Sequence, residues 1–170
     1  MQRKPIDLKT FNTPIFRVFG DEWMLLNVGT LTKMNPMTIG WGFLGTFWSR
    51  PIAIVGVRPQ RYTYEMLSEA DSFTLTAFPP EMRRTLSYCG SHSGRDTDKV
   101  LDRGLTPIPS KVVNSPGFNE ARLIIECQVA YRDQLEKDRF VDNALIDEIY
   151  PDADFHHLIW GEVRHIEEAG

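Results

Sequence analysis

Between Pro14 and Val57 the chain is a succession of β-branched, aromatic and aliphatic runs: Ile15 to Phe19, Trp23 to Thr30, Met37 to Trp48 and Pro51 to Val57. Runs of that composition and length predict four strands. Gly20-Asp21, resembling a hairpin tip, and the longer Lys33-Met34-Asn35-Pro36 supply the turn chemistry between them. After Pro59 the period changes, and Tyr62, Met66, Leu67 and Ala70 fall on one helical face, so a short helix is expected there. Ser72 to Phe78 reads as a strand stopped by Pro79-Pro80. Two more short helices are expected over Glu81 to Tyr88 and Asp96 to Arg103, the second capped by Gly104. Leu105 to Phe118, with Pro107, Pro109 and Pro116, reads as an extended loop, Arg122 to Arg132 as a long strand and Leu158 to His165 as the closing one. Phe140 to Tyr150 fits either a strand, loop and helix or a single amphipathic helix. Strands with helices inserted singly, rather than in regular alternation, predict a mainly β protein: a small antiparallel β-barrel of six or seven strands with short helices, in one domain over residues 1–170.

The stretch MTIGWGFLGTFW sets Gly40, Gly42 and Gly45 at the G-x-G-x-x-G spacing of dinucleotide-binding turns. Those turns need a helix leaving from the last glycine. Here Ser49-Arg50-Pro51 follows too soon for one. Glycine inside a strand marks a sharp bend or the close approach of a ligand or backbone. The flanking Thr38, Trp41 and Trp48 leave both readings open.

Composition narrows the classes. The 170 residues are 42% hydrophobic and 25% charged, enough for one full core. A net charge of -4 and a pI near 5.6 argue against tracking a nucleic-acid backbone. Ile39 to Val57 is broken by Ser49-Arg50-Pro51, so no run reaches a membrane span, and a soluble protein is expected. Two cysteines make no disulfide framework and Met1 to Thr10 lacks an apolar signal run, which makes the cytoplasm the expected compartment.

Two polar clusters could carry chemistry. Arg58, Arg61 and Thr63 lie at the start of the first predicted helix, where unpaired N–H groups favour an anion, so they form either a phosphate site or two solvated arginines with a capping threonine. Ser91 to Lys99, which includes Ser93, is either a second anion contact or a capped loop in which Asp96 and Asp98 balance Arg95 and Lys99. Metal ligation is not expected: Cys89 and His92 form one C-x-x-H pair without a second, and His156-His157 would point to opposite faces of a strand. No G-x-S-x-G is present, and Asp152, Asp154, Glu167 and Glu168 read as solvated. Binding groups without an evident protein catalyst are what a cofactor protein shows.

The segments Asn35 to Tyr64, SGRDTDK (Ser93 to Lys99), GLTPIPS (Gly104 to Ser110) and HLIWGEV (His157 to Val163) resemble the flavin reductase-like family of FMN-binding split barrels, which includes flavoredoxin-like proteins. The resemblance spans about residue 14 to 163. It implies a homodimer of Greek-key antiparallel six-stranded barrels with FMN in a groove at or near the subunit interface. Asn35, Met37, Thr38, Gly40 and Trp41 would then meet the isoalloxazine, Arg58, Arg61 and Thr63 the phosphate, with Ser93 and Lys99 beside it. A histidine five residues before the closing-strand glycine lies near the reactive edge in such proteins; counting back from Gly161 gives His156, the expected catalytic residue. The implied activity is hydride transfer from NADH or NADPH to flavin. The alternative is an FMN electron carrier exchanging electrons with a protein partner, and a third reading is a dimer that takes another ligand. Two departures from the family pattern stand out: Asp154-Phe155 replaces the glycine-aspartate that many reductases have before this histidine, which bears on nicotinamide positioning, and the chain stops at Gly170 soon after the final strand, so a more open pocket is expected.

Overall fold

The computed structural model describes residues 2–169. Its centre is an eight-stranded sheet in which every neighbouring pair is antiparallel. In chain order the elements are β1 (Arg3–Pro5), β2 (Met24–Gly29), β3 (Met34–Ile39), β4 (Gly42–Phe47), β5 (Arg50–Val57), α1 (Tyr62–Glu69), β6 (Ser72–Ala77), α2 (Arg83–Ser91), α3 (Lys99–Asp102), the short pair β7 (Pro107–Ile108) and β8 (Gly117–Phe118), β9 (Leu123–Gln134), α4 (Ala144–Ile149) and β10 (His157–Ala169). The sheet runs β3-β2-β6-β9-β10-β5-β4, with β1 added along the far half of β10, and β7 and β8 pair separately.

The expected closed six-stranded Greek-key barrel is therefore corrected to a mixed α/β fold on an open sheet. Closure would need β3 and β4 to pair, and they stand at opposite ends of the strand order. The reason lies in the glycine stretch. Met37 to Trp48 is not one strand but two, parted at Gly40-Trp41, and the Phe19 ring packs under the second of them: a Cβ on Gly42 would stand 2.6 Å from that ring. The backbone at Gly40 lies against the Phe19 carbonyl and the Trp23 indole, each 3.3 Å from where its Cβ would be. Gly45 has open space around it. β4, itself mostly exposed, is thus led away from β3 and pairs with β5.

Phe19 reaches that position because Arg17–Glu22 is not a strand with a hairpin tip but a π-helical turn, entered from Pro14 through the bond from Val18 N to Pro14 O and ended by Trp23 at φ 65°. Proline ahead of the turn costs no hydrogen bond there, whereas it would cost one in a strand. The helix expected over Asp96 to Arg103 is shorter for a similarly local reason: the Asp98 carboxylate accepts from Val100 and Leu101 N (3.1 and 3.0 Å), so α3 starts at Lys99. Gly104, at φ +61°, closes it as expected. Phe140 to Tyr150 resolves into a bend and the short α4.

Inward residues of β2, β5, β6, β9 and β10, among them Leu26, Val55, Phe73, Leu75 and Ile125, form the main core, and a second cluster of Leu25, Leu86, Cys89, Phe118 and Ile124 seats α2 on the sheet. The proline-rich loop before β8 is held by one buried carboxylate. Glu126 accepts from Lys111 N (2.8 and 3.0 Å) and Val112 N (2.9 Å). Glu126→Gln swaps a charged acceptor for a neutral one and, with its oxygen in the place that accepts from both amides, turns its own NH2 toward the Lys111 N–H. We expect a loss of about 1–2 kcal/mol in denaturant unfolding, with protection of the Lys111 and Val112 amides lost first in hydrogen exchange. Among the described residues no helix is long and apolar enough to cross a membrane.

Candidate functional site

Three stretches distant in sequence converge on one side of β3: the β5–α1 turn, the loop from the end of α2 to α3, and the segment entering β10. They enclose two cavities. One, of about 270 Å3, is walled by Thr38, Trp41, Gly56, Arg58 and His156; the other, of about 340 Å3, by Asn35, Thr63, Cys89, Ser93 and Lys99. Met37 and Arg61 line both, which makes one groove with two chemically different ends.

The cationic end is organised around Lys99. Its side chain is only 4% exposed, its ammonium donates to the Cys89 carbonyl (3.3 Å), and no carboxylate among the described residues pairs with it. Burial pushes its pKa down to about 8, and the neighbouring Arg61 pushes it the same way. The Cys89 thiol is itself raised to about 11 by burial. Arg61, at the N-cap of α1, donates to the Gly90 carbonyl at 3.2 Å. A desolvated ammonium beside a guanidinium favours an anion. Asn35 ties the walls together: its Nδ2 donates to the Thr63 hydroxyl (2.7 Å), and its Oδ1 lies so close to Gly94 that no Cβ fits there. Ser93 lines this end, and its hydroxyl accepts from Arg95 N at 3.2 Å.

The other end is aromatic. The Trp41 ring, half-exposed, lies 4.9 Å from the His156 ring, and the Gly56 backbone packs along that imidazole. His156 is buried, its Nδ1 lies 2.8 Å from the Tyr150 hydroxyl, and its pKa is lowered to about 4, first by burial and then by the Arg58 charge. It is neutral at physiological pH. The Thr38 hydroxyl is committed to the Leu86 carbonyl of α2.

The expected residues thus separate into two sets. Asn35, Thr63, Ser93 and Lys99 meet at the cationic end, Thr38, Gly40, Trp41 and His156 at the aromatic end, and Met37 and Arg61 stand between. Arg58 does not line the cavity that Thr63 and Lys99 line. It lines the His156 cavity, pairs with Asp154, donates to the Ile149 carbonyl (2.8 Å), and lies over the Tyr150 ring. The Asp154 carboxylate, held low by Arg58 and then by Gln60, reads as solvated from sequence but here braces the site, with Gln60 donating to it at 2.7 Å. Tyr150 carries no signal in the sequence beyond lying in an ambiguous stretch. No group of three or more His, Cys, Asp or Glu able to hold a metal occurs among the described residues.

A family model described as the flavin reductase like domain matches residues 25–170. An uncharacterized protein of Pyrococcus abyssi is 32% identical over 98 residues, a stretch that spans 57% of this chain and 55% of that relative's length. Among solved structures, the chain is similar to the flavoredoxin of Desulfovibrio vulgaris (Miyazaki F), with a TM-score of 0.67 and 23% identity over 86% of this chain and 69% of that one. It is also similar to an FMN-binding domain of a flavin reductases-like enzyme from Shewanella baltica, with a TM-score of 0.71 and 15% identity over 98% of this chain and 77% of that one. At these identities the structural likenesses speak for the fold.

Proposed function

The chain belongs to the flavin reductase like domain family, and from that premise we propose that it holds FMN in the groove and works as a flavoredoxin-like electron-transfer protein. One observation carries the reading: a buried ammonium without a carboxylate partner stands at one end of a groove whose other end is walled by an indole and a neutral imidazole. A phosphate satisfies the first end, and a flat heteroaromatic ring the second. FMN supplies reversible redox chemistry when bound. The chain's own residues bind and orient it: Lys99 and Arg61 neutralise the phosphate, Met37 and Trp41 offer apolar surface to the ring, and His156 offers a polar group to its edge. None of these side chains has to move a proton.

A second reading is the reductase, with NADH or NADPH as hydride donor; it is favoured by His156 standing neutral beside a half-exposed Trp41, a wall on which a nicotinamide could be oriented. The homodimer belongs to the proposal too. The tip of the β4–β5 hairpin exposes Phe47 and Trp48, which cluster with Tyr131 and Trp160, an apolar patch suited to a second copy. Two free, buried thiols fit the cytoplasm as the compartment.

Titration with FMN, monitored by flavin fluorescence and the visible spectrum with riboflavin in parallel, tests the reading. We expect FMN to bind at least about tenfold more tightly than riboflavin, since one charge-assisted phosphate contact contributes about 1.5–3 kcal/mol. Stable binding without NADH or NADPH oxidation above the free-flavin rate selects the carrier, and turnover selects the reductase. Failure to take up FMN overturns both.

A further inference from the structure

The flavin reading makes no use of the hydrogen bond that ends at His156. Tyr150, at the end of α4, is buried with its ring against Phe155 and Phe140 (centroids 4.9 and 5.9 Å apart), and its hydroxyl lies 2.8 Å from His156 Nδ1. Either group could donate in principle. If Nδ1–H donated to the phenol oxygen, the phenol proton would need another acceptor, and none bonds to it among the described residues. A buried O–H left without an acceptor costs about 1–3 kcal/mol. If instead the phenol donates, its proton and the Nδ1 lone pair are both satisfied, and the ring proton sits on Nε2. Nε2 has no protein partner among the described residues and is not sealed from solvent. His156 lines the cavity beside Trp41.

We propose that Tyr150 is a positioning residue: by donating to Nδ1 it commits His156 to the Nε2–H tautomer, so that the imidazole presents a hydrogen-bond donor to the cavity and selects an acceptor there, a carbonyl or an unprotonated ring nitrogen. The brace around this pair is itself built. Arg58 lies 5.3 Å from the Tyr150 ring centroid, bonds the Ile149 carbonyl at 2.8 Å and pairs with Asp154, which fixes the chain on both sides of Tyr150. Burial above all, and then the Arg58 and Arg61 charges against that of Asp154, opposes the imidazolium and keeps the ring in the neutral form that has a tautomer to select. The tautomer is a property of the ligand-free protein; only the naming of its acceptor as an edge of a flavin, or of a nicotinamide carboxamide, rests on the reading above.

Histidine-selective 15N labelling and two-bond proton–nitrogen correlation spectra test this on the ligand-free full chain. The sequence has four histidines, and His156→Gln identifies the signals by their loss. We expect His156 to show a protonated Nε2 and an unprotonated Nδ1 throughout about pH 5.5 to 8. In Tyr150→Phe we expect a mixture with the Nδ1–H form and protonation at higher pH, since the neutral ring loses its donor. A protonated Nδ1 in the wild type overturns the proposal without any variant, so a Tyr150→Phe protein that failed to fold would not protect it. An unchanged tautomer in a folded Tyr150→Phe overturns it as well. An Nε2–H wild type that takes up no FMN supports the role of Tyr150 and removes the flavin as its object.

Discussion

Lys99→Met is expected to bind FMN about 30- to 100-fold more weakly than the wild type while changing riboflavin affinity by less than about threefold. The two ligands differ only in the phosphate, and Lys99 is the buried cation at the cationic end of the groove, with no carboxylate partner among the described residues. The same substitution should stabilise the ligand-free protein. Burying an ammonium whose one acceptor among the described residues is the Cys89 carbonyl is unfavourable, and burial accordingly lowers its pKa to about 8 from the ordinary 10.5. Screened by residual solvent, relief of about 1–2 kcal/mol would raise the melting temperature by roughly 3–6 °C. Weaker binding together with higher stability is the signature of a charge kept for a ligand rather than for the fold.

The pH dependences follow from the same depressed pKa and have opposite signs. Below pH 8 Lys99 is charged in both the folded and the unfolded chain, and the burial cost is present in full. Between about 8 and 10.5 the unfolded chain still holds the proton that the folded one has released, so the ligand-free wild type gains stability as pH rises and the methionine variant lacks that gain. A phosphate of FMN held as proposed needs the charged ammonium. That phosphate is doubly ionised above about pH 6, so FMN affinity should be level from there to pH 8 and then fall by up to tenfold per unit, with riboflavin flat throughout. Equal losses of both flavins in Lys99→Met, or a flat FMN profile, would show that the phosphate lies elsewhere.

What could be read along the chain depended on how locally each feature is determined. β9, β10 and α1 follow from period and breakers within their own segments, and they form as expected with ends shifted by a few residues. Ile15 to Phe19 carries the composition of a strand and Gly20-Asp21 that of a hairpin tip, but the π-helical turn over Arg17–Glu22 is settled by where Phe19 packs, under Gly42, which no local pattern contains. The same packing parts β3 from β4 and leaves the sheet open, so the error in the fold and the error in one element have a single source. At the site, residues that line a cavity carry side chains a reader can nominate by type, as with Asn35, Trp41, Lys99 and His156. Residues that act through a partner are harder to find. Arg58 reads as either an anion ligand or a solvated arginine, and its pairing with Asp154, 96 positions away, lies outside any local pattern. Tyr150 is one tyrosine of five until its hydroxyl is found at His156.

Arg58→Met, for that reason, should weaken FMN and riboflavin alike, by about tenfold or more, in contrast to the selective loss at Lys99. From sequence Arg58 and Arg61 together would be expected to bind the phosphate, and their joint replacement to spare riboflavin. In the folded chain the Arg58 guanidinium is spent on Asp154 and on the Ile149 carbonyl, at the His156 end of the groove. Its removal leaves the Asp154 carboxylate, whose Oδ1 is already buried without a partner, with Gln60 alone, and it frees the turn through Ala153 at φ 56° that leads into His156. The His156 end of the groove should loosen while the cationic end, built by Asn35, Thr63 and Lys99, stays in place. The variant should melt several degrees lower. Its His156 should also titrate higher than about 4, because one of the two cations that oppose the imidazolium is gone, though burial still holds it below 6.5. In the wild type a folded His156 pKa of about 4 against 6.5 means that its contribution to stability is complete above pH 6.5 and is lost as pH falls toward 4; in Arg58→Met that acid sensitivity should shrink. Proton titration of His156 by NMR, with the two flavin titrations beside it, measures all of this in one protein. A loss confined to FMN, with His156 unmoved, would return Arg58 to the phosphate and undo the division of the groove into two ends.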